Sequence, residues 1–93
     1  MIRSFRDKVT EQVAKGQNPK GFPADLLKVA RRKLFMIDNA TVLDDLRIPP
    51  ANRLEALKAD RLGQYAIRVN DQFRLCFRWV DGNAEDVEFV DYH

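Results

Sequence analysis

The chain has 93 residues, of which 45% are hydrophobic and 32% are charged, and its formal net charge at pH 7 is +2. This length fits one hydrophobic core and excludes a second independent one, so we expect a single domain over residues 1–93. We also expect a cytoplasmic protein, because residues 1–6 lack the apolar stretch of a secretory signal. No membrane span is expected, since no apolar run approaches the roughly 20 residues of a membrane helix. No cofactor or metal site is expected, since one cysteine and one histidine are too few for a disulfide or a zinc site.

The first half of the sequence has the spacing of helices. Residues 2–4 are predicted as a short strand, after which Phe5, Val9 and Val13 recur at helical intervals. The longest helix is predicted over about residues 24–39, because its apolar positions fall on one side of a helix. These positions are Leu26, Leu27, Ala30, Leu34 and Ile37.

In the second half the period becomes two. Apolar and polar residues alternate over residues 65–69, 73–79 and 87–90, and a shorter, weaker strand is predicted over residues 53–58. The pattern predicts an antiparallel meander with one apolar face. We expect the two N-terminal helices to pack on that face, giving a two-layer α+β domain.

The alternation also predicts the register of the strands. For the apolar residues of the last two strands to share a face, an odd loop is required, and we place it at residues 81–83. On the polar side this register sets Arg68 opposite Arg74 and Arg78 opposite Asp86. Two opposed arginines destabilise a sheet, so Arg68 and Arg74 form a candidate anion site. Alternatively, both guanidinium groups point away from each other into water.

The charges are distributed unevenly along the sequence. Residues 1–78 hold all sixteen lysines and arginines and nine acidic residues, whereas residues 79–93 hold five acidic residues and no base. A basic body attracts polyanions, of which nucleic acid is the commonest in the cytoplasm. In the alternative interpretation, which charge alone favours, the acidic last strand only neutralises the basic body.

Four short blocks resemble one protein family. Met1–Phe5, Leu54–Arg61, Asn70–Leu75 and Asp91–His93 are similar, in this order and spacing, to the HigB-type branch of the RelE/ParE superfamily of bacterial toxins. The resemblance implies a RelE-like fold and a ribonuclease toxin of a type II toxin–antitoxin pair. Such toxins cleave mRNA in the ribosomal A site without a metal, using the RNA 2′-hydroxyl as the nucleophile. The implied partners are the ribosome, its mRNA and a helix-turn-helix antitoxin, similar to HigA, in a hetero-oligomer.

The resemblance also implies roles for particular residues. Lys58 and Arg74 would hold the scissile phosphate and its developing charge. The C-terminal residues would orient the substrate or move protons, and these are Asp91, Tyr92 and His93. Three further basic residues are assigned to RNA binding: Arg61, Arg68 and Arg78.

Position 55 departs from the family pattern. It is often histidine in the HigB-type branch, and here it is Glu55. A carboxylate is a sound general base, so Glu55 is the candidate acceptor of the 2′-hydroxyl proton, with His93 as the candidate acid. The alternative is that Glu55 only pairs with Lys58 or Arg61 on an exposed strand.

Two other functions compete with the nuclease. The first is a non-enzymatic inhibitor of DNA gyrase similar to the ParE toxins, and the second is an inactive RNA-binding module. ParE-like chains usually lack a terminal Asp-Tyr-His sequence, so residues 91–93 favour the nuclease. Cys76 alternates with large apolar and basic neighbours and is predicted to be structural.

Overall fold

The computed structural model describes residues 1–92, so the predicted role of His93 lies outside the described residues. Two α-helices precede a four-stranded antiparallel sheet with the strand order β1-β2-β3-β4. The elements are α1 (Lys8–Ala14), α2 (Leu27–Asn39), β1 (Glu55–Ala56), β2 (Gln64–Arg68), β3 (Phe73–Val80) and β4 (Asn83–Asp91). The prediction of an α+β domain with an antiparallel meander is therefore confirmed.

Both helices form where the apolar spacing predicts them. The side chain of Asp7 caps α1, since its carboxylate accepts a hydrogen bond from the backbone N–H of Thr10 at 2.8 Å. A 3₁₀ turn at Ala24–Leu26 leads directly into α2, so the helix predicted over residues 24–39 has the expected extent with a tighter first turn. Another 3₁₀ turn at Leu43–Arg47 follows α2.

The main hydrophobic core joins helix and strand side chains. Its buried members include Val13, Ala30, Leu34 and Ile37 from the helices and Ile67, Leu75, Phe77 and Val87 from the strands. Three rings extend this core, because Phe22 and Phe73 both contact Phe89, at centroid distances of 4.5 and 4.7 Å. The helices and the apolar side chains of the sheet thus bury one another.

The turn between β3 and β4 differs from the prediction. Val80 pairs with Asn83, so the loop has two residues, and the extra residue sits in a β-bulge of β4 at Asp86. Asp81 and Asp86 both adopt left-handed backbone conformations, with φ of 50° and 54°. The parity argument holds, but the odd residue lies four positions after Gly82 instead of in the turn.

The two edges of the sheet are formed by different kinds of segment. Residues 2–5 run parallel to β4 and bridge it at Ala84 and Val87, which agrees with the short strand predicted there. At the other edge β1 has only two residues, fewer than the strand predicted over residues 53–58. Among residues 1–92, neither helix has both the length and the apolar content required to cross a bilayer.

Candidate functional site

Residues that pair across strands lie on the same side of a sheet. The register therefore shows which side chains lie on the side of the sheet away from those of the main core. One row crosses all four strands and consists of Glu55, Ala66, Cys76 and Glu88. The neighbouring row consists of Arg68, Arg74 and Val90. We call the side that carries these two rows the polar face. Its small apolar cluster shares no residue with the main core and is made by Leu57, Ala66, Cys76 and Val90.

Arg74 is held firmly at one end of the polar face. Its Nη1 donates hydrogen bonds to the carbonyl oxygens of Asn70 at 2.8 Å and Phe73 at 3.3 Å. Its Cζ lies 5.2 Å from the centroid of the Tyr92 ring, which is a cation–π arrangement. The Nε atom is buried and has no hydrogen-bond partner within residues 1–92. The guanidinium is therefore fixed beside Tyr92, with its Nη1 bound to the backbone and its Nε–H without a partner within residues 1–92.

The three arginines assigned to RNA binding differ from Arg74, because each faces a carboxylate. Arg61 Nη1 lies 3.2 Å from Glu88 Oε1, and Arg78 Nε lies 3.6 Å from Asp86 Oδ2. Arg68 pairs with Asp71 in the adjacent turn. Arg68 and Arg74 are opposed as predicted, but only Arg74 of the two lacks a carboxylate partner within residues 1–92. Such partly exposed pairs contribute at most about 1 kcal/mol each, so a phosphate can replace the carboxylate.

Glu88 is a site feature that the sequence analysis missed. It lies in the same row as Glu55, accepts a hydrogen bond from Arg61 and lies 3.8 Å from Arg6 Nε. Arg61 also donates to Gln64 Oε1 at 3.0 Å, so its guanidinium is held above the sheet. The alternation of residues 87–90 places Glu88 on the polar side, but its partner, 27 residues away, is set by the fold.

Glu55 lies at the β1 end of the polar face, and Lys58 follows β1 directly before the 3₁₀ turn Ala59–Arg61. Both side chains are exposed, and the Glu55 carboxylate makes no hydrogen bond or ion pair within residues 1–92. The alternative is that Glu55 only pairs with Lys58 or Arg61. Glu55 forms no ion pair with either of them within residues 1–92, and Arg61 contacts Glu88 instead. Strand and residue spacings put the Cα atoms of Glu55 and Arg74 roughly 12 Å apart, a gap that the two side chains and a phosphate together span.

Asp91 and Tyr92 lie at the Arg74 end of the sheet. Asp91 ends β4 opposite Phe73, and its Oδ2 accepts a hydrogen bond from Gln72 Nε2 at 3.1 Å. The backbone N–H of Tyr92 donates to the Gln72 carbonyl at 2.7 Å, which fixes the start of the exposed ring against Arg74. Arg74 and Tyr92 are thus together on the polar face, Asp91 lies at the same end of the sheet but on the side of Phe73, and Glu55 approaches from the β1 edge.

Cys76 lies fully buried in the middle of the polar face. Burial raises the pKa of its thiol from 9.0 to about 11, the nearby carboxylates of Glu88 and Glu55 act in the same direction, and Arg61 and Arg74 act against it. A neutral, inaccessible thiol fits the predicted structural role.

Cys76 is therefore expected to be inert in the folded protein. At pH 8, we expect its alkylation by iodoacetamide to be at least about 10²-fold slower than in guanidinium chloride, because a pKa raised by two units lowers the thiolate fraction by that factor and burial adds to it. Mass spectrometry of quenched samples measures both rates. Equal rates in the two conditions would contradict a buried, neutral thiol.

Comparisons with known proteins agree on one family. A family profile described as "RelE-like toxin of type II toxin-antitoxin system HigB" matches residues 3–93. Toxin HigB-1 of Vibrio cholerae is 40% identical over 94 residues, which cover 100% of this chain and 98% of that protein. Endoribonuclease HigB of Proteus vulgaris is 31% identical over the full length of both chains. In structure, a chain of the YoeB-YefM complex from Staphylococcus aureus matches with a TM-score of 0.62 and 18% identity, covering 100% of this chain and 98% of that one.

Proposed function

The chain belongs to the HigB-type family of RelE-like toxins of type II toxin–antitoxin systems, and we propose that it is a ribosome-dependent endoribonuclease that cleaves mRNA in the A site and so inhibits translation. The full-length relative named Endoribonuclease HigB supports RNA cleavage and does not favour the gyrase alternative. The single domain of residues 1–93 carries this activity in the cytoplasm, where the mRNA and ribosomes are.

One observation carries the proposal. Of the four arginines assigned to the site, Arg74 alone has no carboxylate partner within residues 1–92, and it is fixed by two backbone carbonyls and the Tyr92 ring. A preorganised cation that no carboxylate neutralises stabilises charge that develops on a phosphate. Arg68 lies opposite Arg74, and Arg61 and Arg78 add further positive charge that attracts the RNA backbone.

The reaction needs a base at the 2′-oxygen, cations at the nonbridging oxygens and an acid at the 5′-oxygen. Glu55 takes the 2′-hydroxyl proton, and the freed oxygen attacks the adjacent phosphorus. Lys58 and Arg74 hold the phosphate as its charge grows. His93 gives a proton to the leaving 5′-oxygen, Asp91 orients the substrate, and Tyr92 stacks on a base, as aromatic rings do on single-stranded RNA. The products are a 2′,3′-cyclic phosphate and a 5′-hydroxyl, and no metal is required.

The polar face is free for RNA if both helices lie on the other side of the sheet. The main core supports this arrangement, because it joins Val13 of α1 and Ile37 of α2 with Leu75 and Val87. The apolar cluster of the polar face contains no helix residue. The natural inhibitor is an antitoxin, for which a helix-turn-helix protein similar to HigA in a hetero-oligomer is the proposed partner.

Cleavage is expected to depend on the ribosome. The candidate base Glu55 and the candidate phosphate-binding Arg74 lie on different strands, roughly 12 Å apart between their Cα atoms, so the protein alone orients the RNA poorly. Binding in the A site supplies orientation equivalent to several kcal/mol of effective concentration. We expect a message on programmed ribosomes to be cleaved at least about 10³-fold faster than the same RNA in solution. Both reactions use enzyme that has been treated with EDTA. Equally fast cleavage of the free RNA would contradict this expectation.

The proposed function is tested in cells by mapping 5′ ends. After brief expression, we expect new 5′-hydroxyl ends in translated messages, at a fixed position within codons. Cuts without relation to the reading frame would argue against A-site cleavage. Intact messages with DNA damage would instead support gyrase inhibition.

A further inference from the structure

A buried lysine links α2 to the segment that leads into β1. Lys33 is only 5% exposed, although it is a charged residue in the middle of an otherwise apolar helix side. Its Nζ donates a hydrogen bond to Oδ1 of Asn52, which is itself fully buried. Burial lowers the pKa of Lys33, and the nearby charges of Arg32 and Arg68 lower it further. The ammonium is therefore held in an unfavourable place by a neutral partner.

Asn52 uses the rest of its amide to fix the surrounding backbone. Its Nδ2 donates to the carbonyl oxygen of Leu46 at 3.2 Å and lies 3.5 Å from that of Ile48. Its own N–H donates to the Pro49 carbonyl at 2.9 Å. The side chain thus ties two successive 3₁₀ turns, Leu43–Arg47 and Pro50–Asn52, to one point on α2 through Lys33.

The residue after Asn52 is strained. Arg53 has φ 48° and ψ 52°, a left-handed conformation that is unfavourable for a non-glycine residue. Such a conformation persists where the surrounding structure fixes it. Glu55 follows two residues later and Lys58 five residues later, so the direction in which the chain leaves Asn52 sets the position of both side chains.

An apolar residue at position 33 would avoid the burial of a charge. Replacing buried polar partners by apolar groups of similar size is often neutral or stabilising. Stability alone therefore gives no reason for the Lys33–Asn52 pair as a whole, although replacing Lys33 by itself leaves the buried Asn52 Oδ1 without its donor. The hydrogen bond to Asn52 gives a reason for the pair, because a directional bond fixes the position of the 3₁₀ turn Pro50–Asn52, whereas an apolar contact does not.

We propose that Lys33 and Asn52 are positioning residues, which together hold the segment from Arg53 to Lys58 so that Glu55 and Lys58 face the scissile phosphate. The proposal rests on the function proposed above for Glu55 and Lys58. Neither Lys33 nor Asn52 touches the RNA, since both are buried below the surface.

The test combines Lys33→Met with a measurement of cleavage. Methionine has a similar length and no charge, so we expect folding to be retained. We expect the single-turnover rate on programmed ribosomes to fall about tenfold, because small misplacements of a catalytic group are costly, with the half-saturating ribosome concentration unchanged. In a background that carries both Glu55→Ala and Lys58→Ala, Lys33→Met is expected to cost less than twofold, since both groups that it positions are gone.

Lys28→Met is the matched control, because Lys28 is an exposed lysine of the same helix and its replacement changes the charge equally. We expect it to leave the rate unchanged in both backgrounds. An equal tenfold loss from Lys33→Met with and without the Glu55 and Lys58 side chains would overturn the proposal, because a general loss of stability acts on both proteins alike.

Hydrogen exchange tests the clamp without reference to catalysis. In Lys33→Met we expect the backbone N–H groups of Asn52, Arg53 and Leu57 to exchange about tenfold faster, while those paired between β3 and β4 keep their rates. Unchanged exchange at the three positions would overturn the positioning role. If the wild-type protein does not cleave RNA at all, the proposed function fails, and this measurement still decides whether Lys33 holds the segment.

Discussion

Replacing Arg74 with alanine is expected to lower the single-turnover cleavage rate on programmed ribosomes by about 10²–10³-fold, the effect of losing one preorganised donor to a developing oxyanion. The reason is local, because two carbonyls and the Tyr92 ring hold the guanidinium, and no carboxylate within residues 1–92 neutralises it. Arg74→Lys is expected to restore only part of the rate. A lysine cannot reproduce both the stacked plane and the forked donors.

Arg47→Ala is the matched control for this prediction. Arg47 is an exposed arginine that pairs with Asp44 within a 3₁₀ turn, away from the polar face. We expect it to leave cleavage within twofold of wild type. The Arg74 variants are expected to keep their thermal midpoints, since removal of Arg74 also relieves its opposition to Arg68. A folded Arg74→Ala protein with the wild-type rate would remove Arg74 from the site.

The second large effect is expected at Glu55. Glu55→Gln keeps the size and hydrogen-bonding capacity of the side chain but removes its basicity, so the rate should fall by about 10²–10⁴-fold, the usual contribution of a positioned proton acceptor. The carboxylate has no ion pair within residues 1–92, so it is available to accept a proton. Glu55→His is expected to keep part of the activity, because imidazole is also a general base.

Glu11→Gln is the control, since Glu11 pairs with Lys15 on the surface of α1, and its loss costs at most about 1 kcal/mol of stability. Single-turnover rates and thermal melts of both variants separate a loss of catalysis from a loss of stability. A Glu55→Gln rate close to wild type would assign proton removal to the C-terminal residues, and deletion of His93 would then be the more severe change.

The elements of this fold follow from the sequence because their patterns are strong. The apolar stripe of α2 and the alternation along β2, β3 and β4 each bury one side of an element, so few alternatives exist. The sequence pattern does not predict where the odd residue between β3 and β4 lies. Gly82 suits a two- or a three-residue turn, and an aspartate accepts the left-handed conformation of a bulge at Asp86 almost as readily as in a turn.

The candidate site is less predictable than the fold. The family resemblance provided its residues, but the pairing of Arg61 with Glu88 depends on contacts between distant parts of the chain. Lys33 carries a signal that the sequence analysis did not use. It lies three residues after Ala30 and four before Ile37, on the buried side of α2, where a lysine needs a polar partner. The identity of that partner, Asn52, requires the structure.

The attachment of the N-terminal segment to β4 has a consequence for the order of folding. Ser4 Oγ accepts a hydrogen bond from the N–H of Asp86, 82 residues away, and Thr10 Oγ1 accepts one from Phe89, 79 residues away. The residues synthesised first thus reach their final partners only when the last strand has been made. Until then β3 lacks its partner β4, so its apolar strand edge is open to association with other chains. The same exposure occurs in slow-folding proteins with many non-local contacts. A nascent toxin of this topology therefore completes its sheet late, after nearly all of the chain has been translated.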